Sequence, residues 1–218
     1  VSKDETESMK NFHNKYVKYN LIDAVSNPND ILIDYAVGRG GDLHKWKSAN
    51  LSFVFGIDYS EDNIENKQDG ACVRFMNMHQ KYNHPMRALF VVGNSMYNFK
   101  TGEGLKTDRD KIIYNAVIGN GPNNEKKIGL GVKAQYGKGS KGFNVSSCQF
   151  ALHYFFKDEP SIRGFLRNVS ENTQVGGHFI GTCYDGAEIF KLLSKMQKGE
   201  THSIKKNGSS IVEITKEY

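Results

Sequence analysis

A short apolar run that leads directly into a glycine-rich turn constrains the fold more than any other feature of this sequence. Residues 31–37 (ILIDYAV) have the composition of a strand buried on both faces of a parallel sheet. The turn 38–41 (GRGG) follows at once, and a second apolar run, 53–57 (FVFGI), ends at Asp58. Glycines at such a turn let a ligand approach without meeting a Cβ atom, and an acidic residue about 20 positions later can accept hydrogen bonds from ribose hydroxyls. Asp34, the turn and Asp58 therefore predict a site for an adenosine-containing cofactor.

The spacing of the glycines favours one class of cofactor. They follow the pattern G-x-G-G, and neither the G-x-G-x-x-G pattern of dinucleotide-binding turns nor a phosphate-binding P-loop is present. S-adenosylmethionine has no pyrophosphate to bind, so the pattern favours it over NAD. On the glycines alone, a plain tight turn in any α/β protein is an equally good explanation.

Apolar strands alternate with helical patterns along most of the chain. Strands are predicted at 31–37, 53–57, 88–92, 143–152, 176–182 and 210–215. Helices are predicted at 9–25, 74–82, 159–169 and 187–196, and Ser60 marks a further helix start. This alternation is typical of βαβ units and predicts one α/β domain with a Rossmann-like, mostly parallel sheet flanked by helices and joined by right-handed crossovers.

Composition limits the class of protein without identifying it. The 218 residues suffice for a single domain, and no apolar run is long enough to span a membrane. Three scattered cysteines without a CxxC pair predict a reducing compartment, and the histidines lack the spacing of metal ligands, so no metal site is expected. The net charge of +5 suits a polyanionic partner, although many other proteins are equally basic.

Residues 100–142 differ in composition from the rest of the chain. They are rich in Gly and Lys and hold few apolar clusters, so we expect an insertion that is partly loop. Its lysines are suited to following RNA phosphates, a solvated loop is the simpler interpretation, and docking to another domain is a third. The first residue is Val1 rather than Met, which favours a piece of a larger polypeptide.

Four stretches spread over most of the chain carry a family resemblance. They are 9–14 (MKNFHN) with 16–18 (YVK), 34–46 (DYAVGRGGDLHKW), 147–154 (SCQFALHY) and 176–182 (GGHFIGT). Together they resemble the eukaryotic and viral mRNA cap (guanine-N7) methyltransferase family, which implies the class I S-adenosylmethionine-dependent methyltransferase fold. The stretch 67–74 (KQDGACVR) is similar to one in capping enzymes of large DNA viruses, which implies a viral origin. The family domain continues beyond the strand that resembles 211–215, so its C-terminal part is expected to be missing.

The resemblance implies a reaction and the residues that serve it. The family transfers a methyl group from S-adenosylmethionine to N7 of the guanine cap of mRNA. By position, the cofactor-binding residues would be Lys18, Asp34, Ala36, Gly38, Asp58, Asn94, Ser95, Gln149 and Tyr154, and the cap would be contacted by Asn11, Asn14, His153 and Tyr154. The implied contacts are the cofactor carboxylate for Lys18 (Lys15 being a weaker candidate), the ribose for Asp58, the adenine for Asn94 and Ser95, the methionine moiety for Gln149 and Tyr154, and the guanine for His153 and Tyr154.

This sequence departs from the family pattern at two cofactor positions. Ala36 stands where the family has a glycine, and its Cβ would crowd the cofactor if the position required a positive φ. Asn94 stands in place of an aspartate, so it keeps an acceptor and loses the charge. The later part of the family domain supplies an acidic residue and an aromatic residue to the cap pocket, and neither can be assigned in this chain.

The chemistry of the implied reaction requires positioning rather than proton transfer. Guanine N7 carries a lone pair, so its methylation needs no general base, and no catalytic acid or base is expected. Alignment of the reacting atoms and exclusion of water can supply roughly 7–11 kcal/mol of the barrier. Aromatic faces attract cationic groups, and Tyr154 and Phe150 are the expected ones, whereas Phe155 and Phe156 are expected in the core.

Two other functions stay open, together with the partners and the location. The same cofactor site would serve a methyltransferase for another substrate, and a degenerate methyltransferase fold could instead bind RNA or act as a scaffold. The resemblance implies the capped 5′ end of mRNA as a partner, with triphosphatase and guanylyltransferase domains of the same polypeptide or a stimulatory subunit as further ones. A viral protein would act at a cytoplasmic replication site, and a cellular one in the nucleus. The string 67–70 (KQDG) matches the KxDG string of guanylyltransferases and is interpreted as a turn between helices.

Overall fold

A computed structural model describes residues 6–206 and 208–218. The chain forms two compact units. The larger is Leu21–Thr182, and the smaller joins the described residues before Leu21 to Cys183–Tyr218. In the described ranges, no helix combines the length and the apolar character required to cross a membrane.

Helices and strands alternate through most of the chain, as predicted. The helices are α1 (Glu7–Phe12), α2 (Lys18–Val25), α3 (Leu43–Ser48), α4 (Glu61–Glu65), α5 (Ala71–Tyr82), α6 (Asp108–Val117), α7 (Glu125–Ile128), α8 (Leu130–Lys133), α9 (Glu159–Asn172) and α10 (Gly186–Leu193). The strands are β1 (Ile31–Asp34), β2 (Phe53–Asp58), β3 (Arg87–Val92), β4 (Phe143–Gln149), β5 (Thr173–Thr182), β6 (Thr201–Lys206) and β7 (Ser209–Thr215). A π-helical turn, His13–Val17, joins α1 to α2, and a 3₁₀ helix, Leu152–Lys157, precedes α9. The four predicted helices are confirmed, with ends that differ by a few residues.

The larger unit is built on one five-stranded sheet in the order β3-β2-β1-β4-β5. Every neighbouring pair in it is parallel. Alternate side chains of β2 enter two different core clusters, with Phe53 and Phe55 in one and Val54 in the other. Both faces of the sheet are therefore covered, which explains why the central strands read as continuous apolar runs. The predicted Rossmann-like α/β fold is confirmed.

The first and fourth strands end earlier than predicted, each at a side chain that bonds to the backbone. Strand β1 stops at Asp34, whose Oδ1 accepts the N–H of Ala36 at 3.0 Å and turns the chain. Strand β4 stops at Gln149, because Phe150 adopts a φ of +58° and donates its N–H to Thr182 Oγ1 at 2.8 Å. The parallel sheet thus presents short turns, rather than extended strand, at its carboxyl edge.

Residues 100–142 contain more regular structure than their composition predicts. Helix α6 begins with a capping box, in which Thr107 and Asp110 each bond to the other's backbone. Side chains from all three helices of this segment enter the larger unit's core, and they include Ile113, Tyr114, Val117, Ile128 and Val132. The segment is therefore a packed part of the unit, although part of it is loop as expected.

The smaller unit holds a hairpin that the sequence only half predicted. Strands β6 and β7 pair in antiparallel fashion in a separate two-stranded sheet. The sequence predicts a strand at 210–215 and none before it, because β6 (THSIKK) contains a single large apolar residue. A cross-strand partner supplies the pairing that local composition does not indicate.

Candidate cofactor and substrate site

A cavity of about 540 Å³ opens at the carboxyl ends of β1, β2, β3 and β4. This is where ligands bind in open α/β sheets, and the volume lies within the usual range for small-molecule sites. Its lining residues are Tyr35, Ala36, Asp58, Tyr59, Asn63, Gly93, Asn94, Ser95, Met96, Gln149, Phe150, Ala151, Tyr154 and Phe155. Among these described residues Asp58 alone carries a formal charge, and five are aromatic.

The carboxylate of Asp58 is held by three donors. Its Oδ2 accepts the N–H of Gly38 at 2.7 Å, and its Oδ1 accepts the N–H of Ser60 at 2.9 Å and the side-chain amide of Asn63 at 3.0 Å. Gly38 has a φ of +55°, a conformation that other residues adopt only with strain. Asp58 is 9% exposed, so these bonds offset the cost of removing a charge from water. They use three of about four acceptor positions, which leaves capacity for a ligand hydroxyl.

A second layer of charged groups fixes the amide of Asn63. The Arg39 guanidinium bridges the carboxylates of Asp62 and Asp69, and its Nε donates to Asn63 Oδ1 at 3.4 Å. That bond turns the amide so that its NH₂ group faces Asp58. Sequence analysis missed this arrangement because Arg39 lies more than 20 positions from each of its three partners, and only the turn brings it to them.

Ala36 occupies its position without strain. It lines the cavity, and it is not among the described non-glycine residues with positive φ. The glycine of the family is therefore not required here for its backbone conformation. Asp34 does not line the cavity; it lies 2% exposed beneath the turn, where it accepts the N–H of Ala36. Through this hydrogen bond, Asp34 shapes the turn that follows β1.

The segment after β3 places two polar side chains at the cavity wall. Ser95 is buried and donates its hydroxyl to the carbonyl oxygen of Tyr35 at 2.7 Å. Asn94 orients its amide by accepting the N–H of Met96 on Oδ1 at 3.0 Å. Because the N–H of Asn94 also bonds to Gly104 O at 2.7 Å, this wall is anchored to the start of the 100–142 segment.

The segment after β4 supplies the remaining wall. Gln149 is buried, donates to Ser147 Oγ at 3.3 Å and accepts from Thr182 Oγ1 at 3.3 Å, so both ends of its amide are fixed. Tyr154 lines the cavity and is 64% exposed, which leaves its ring open to a second ligand.

His153 lies beside the cavity rather than on its wall. Its ring centroid is 4.3 Å from that of Tyr154 and 5.7 Å from that of Phe150. Burial lowers the pKa of His153, which favours the neutral imidazole. Phe155 is buried as predicted, whereas the core position predicted for Phe156 is wrong, because Phe156 is 66% exposed.

The expected residues of the N-terminal helix belong to the smaller unit. Asn11 and Lys18 are half-buried, and Asn14 and Lys15 are exposed. Their contacts with cofactor and cap stay predictions. Gly38 does not line the cavity and acts through its bond to Asp58. Residues that line it without being predicted include Tyr35, Tyr59, Asn63 and Met96.

A protein family and several individual proteins are similar in sequence to this chain. Residues 2–217 match the family described as the mRNA (guanine-N(7))-methyltransferase domain. The chain is 29% identical over 187 residues to mRNA cap guanine-N(7) methyltransferase 1 of Arabidopsis thaliana, covering 84% of this chain and 41% of that protein. It is 30% identical over 190 residues to mRNA cap guanine-N(7) methyltransferase of Saccharomyces cerevisiae, covering 87% and 35%.

A viral protein and a solved structure are also similar to it. Identity is 24% over 213 residues to a probable mRNA-capping enzyme of Acanthamoeba polyphaga mimivirus, covering 94% of this chain and 16% of that protein. A Clostridium acetobutylicum S-adenosylmethionine-dependent methyltransferase structure has a TM-score of 0.49 and 10% identity, covering 92% and 64%. The chain spans less than half the length of each of the three curated relatives.

Proposed function

This chain belongs to the mRNA (guanine-N7)-methyltransferase family, and we propose that it transfers a methyl group from S-adenosylmethionine to N7 of the guanine cap of mRNA. The observation that carries the proposal is the position of Asp58, held by three donors at the carboxyl edge of the sheet inside a cavity with aromatic walls. Such a carboxylate suits a ribose, and such walls suit a cation.

The residues of the cavity fit the two ends of this cofactor. Asp58 would accept a hydrogen bond from a ribose hydroxyl at its remaining acceptor position, and Asn94 with Ser95 would contact the adenine. Gln149 and Tyr154 would flank the methionine moiety on the opposite wall. Asp34 and Gly38 support this site by shaping the turn, and Ala36 presents only a methyl group to it. Lys18 of the N-terminal helix remains our candidate for the cofactor carboxylate.

The chain's part in the reaction is to bind, to orient and to exclude water. S-adenosylmethionine, when bound, supplies an electrophilic methyl group on a positively charged sulfur. Guanine N7 has a lone pair, so no side chain has to remove a proton. The groups around the cavity agree with this: the carboxylate of Asp58 is engaged by three donors, and burial raises the pKa of Tyr35 and keeps it neutral. Positioning of this kind can contribute roughly 7–11 kcal/mol.

The neutral state of His153 also favours a cationic cofactor. An imidazolium ion next to Tyr154 would repel a positive sulfur, and burial of His153 disfavours that form. The exposed face of Tyr154 would then meet the guanine, with His153 behind it and with Asn11 and Asn14 as further candidates for cap contacts.

The wider setting follows from the same proposal. We propose that the chain binds RNA as the capped 5′ end of mRNA, and that it is viral and works next to the triphosphatase and guanylyltransferase steps of capping, in one polypeptide or with a stimulatory subunit. The similarity to a mimivirus capping enzyme supports this. A viral enzyme would act at the cytoplasmic replication site, and a cellular one in the nucleus.

The test is a methyl-transfer assay with the purified chain. Capped RNA that lacks the N7 methyl group should yield 7-methylguanosine after nuclease digestion. RNA whose cap already carries that methyl group is the control and should accept nothing. Cofactor binding without transfer to the unmethylated cap would contradict the proposed reaction, and transfer to free guanosine at the same rate would indicate another substrate.

A further inference from the structure

The positive charge of this chain is concentrated in one segment. Residues 100–142 hold nine Lys and Arg and four Asp and Glu, a net charge of +5. The remaining residues hold 20 of each and are neutral overall. The whole excess charge of the protein therefore lies in about a fifth of its length.

The fold presents this charge on an ordered surface. Ile113, Val117, Ile128 and Val132 anchor the segment in the core, so its lysines are carried on packed helices and turns. Tyr136 ties the turns together by donating its hydroxyl to the carbonyl oxygens of Gly119 and Gly121, at 3.1 and 2.9 Å. Binding therefore has to order only the lysine side chains, because the backbone that carries them is already fixed.

Five exposed lysines form what we call the basic face: Lys100, Lys126, Lys127, Lys138 and Lys141. In the described part of the chain, none of them has a carboxylate oxygen within 4.0 Å, whereas Lys106, Lys111 and Lys133 are paired with Glu61, Asp108 and Glu125. Two clefts lie beside these lysines. One, of about 360 Å³, is lined by Lys100 and Lys141 and also by Glu171, and the other, of about 530 Å³, is lined by Lys126 and also by Glu125.

Two lysines of the basic face, Lys138 and Lys141, lie at the opposite edge of the sheet from the cavity. Lys138 is 5.9 Å from the ring centroid of Phe53, the first residue of β2, and Lys141 comes two residues before Phe143, the first of β4. The cavity lies where these strands end. Since β4 has seven residues, the two sites are separated by about 20 Å along the strands.

We propose that the basic face binds the phosphate backbone of the RNA chain behind the cap. The inference rests on the proposed function, since the cap places a polyanion at the cavity. A backbone that leaves the cavity has to cover about 20 Å before it meets these lysines, so only RNA of several nucleotides would contact both sites. All five residues of the basic face are lysines, so it offers flexible positive charges and no aromatic ring on which a base could stack. Such groups suit phosphates, and we therefore expect binding that is independent of base sequence.

The experiment compares a long and a short ligand on one variant. Lys126, Lys127, Lys138 and Lys141 are changed together to Gln, and affinities are measured for a capped RNA of about 20 nucleotides and for the cap dinucleotide GpppA. A control with the same loss of charge changes four other exposed lysines to Gln: Lys81, Lys195, Lys198 and Lys205. Thermal unfolding verifies that both variants are folded.

The salt dependence gives the expected size of the effect. For single-stranded RNA, the logarithm of the binding constant falls with the logarithm of the salt concentration by about 0.7 per phosphate contact. With four such contacts, raising the salt from 50 to 200 mM should weaken binding about 50-fold. The basic-face variant should lose most of this dependence and bind the long RNA at least about tenfold more weakly at low salt, while GpppA affinity is unchanged. The control variant should retain the wild-type slope.

Three outcomes would overturn the proposal. Unchanged long-RNA affinity in the folded variant would show that the basic face does not bind RNA. An equal loss in the control would show that net charge alone is responsible. Equal loss of long RNA and GpppA would show an effect at the cavity. Failure of methyl transfer would contradict the proposed function, but binding of long RNA through the basic face would still be measurable.

Discussion

Replacement of Asp58 by Asn tests the carboxylate on which the proposed cofactor site depends. The amide has nearly the same shape, but one of its two positions becomes a donor. Three donors approach the side chain from Gly38, Ser60 and Asn63, and they contact both oxygens. In either orientation of the amide at least one donor therefore faces an NH₂ group.

The structure sets the expected magnitude. A lost hydrogen bond to a charged group costs about 1.5–3 kcal/mol, and a buried donor left unsatisfied costs about 1–3 kcal/mol. Asp58 is nearly buried, so we expect the free energy of unfolding to fall by about 2–4 kcal/mol in Asp58→Asn. A ribose hydroxyl that loses its charged acceptor weakens cofactor binding by a similar 1.5–3 kcal/mol, or about 10- to 150-fold.

Calorimetry with S-adenosylmethionine and urea denaturation measure the two effects separately. Asp108→Asn is the matched control, because its side chain is 94% exposed and its pairing with Lys111 at 3.5 Å contributes little. If Asp58→Asn binds the cofactor within about twofold of the wild-type affinity, Asp58 does not contact the ribose. An unchanged denaturation midpoint would also show that the three donors do not depend on the charge.

Three further predictions concern the wall after β4. An aromatic face attracts a cation by about 0.5–2 kcal/mol, so Tyr154→Ala should lower kcat about 2- to 30-fold and change cofactor affinity less. Tyr154→Phe keeps the aromatic ring and should keep most of the turnover. Equal kinetics in the wild type and both variants would exclude Tyr154 from the site. Phe150 has a φ of +58°, so Phe150→Gly should be more stable to urea than Phe150→Ala by about 1 kcal/mol, the reverse of the usual order, and the usual order would show that the turn is unstrained. Burial lowers the pKa of His153 below its ordinary 6.5, so the unfolded chain binds a proton there first and stability falls as the pH drops through 6.5 toward the folded pKa. His153→Gln should therefore lose less stability between pH of about 7.5 and 5.5, and an identical pH profile would contradict the shift.

The sequence was sufficient to predict those features that a single short segment encodes by its own pattern of residues. The strands 31–34 and 53–58 were predictable because burial on both faces leaves a continuous apolar run, and Asp58 because it ends such a run. The short run from Gln149 to Tyr154 was predictable as a unit through its family resemblance, and the cavity contains most of it.

Other features needed the folded chain. The 100–142 segment has few apolar residues in any one window, yet Ile113, Ile128 and Val132 converge on one core. The exposed ring of Phe156 and the buried one of Phe155 are neighbours in sequence, and the 3₁₀ helix alone decides which points inward.

By itself the sequence determined the family, through four stretches that resemble it, and the parallel sheet with the carboxylate at the end of its second strand, because these two depend on the order of apolar and polar residues within short windows. The tertiary structure decided which groups meet that carboxylate and where the positive charge lies. Arg39 reaches Asn63 and Asp69 across 24 and 30 positions, and Lys138 lies beside Phe53, the first residue of a strand much earlier in the chain. Such contacts depend on how distant elements pack, a quantity that no local periodicity contains.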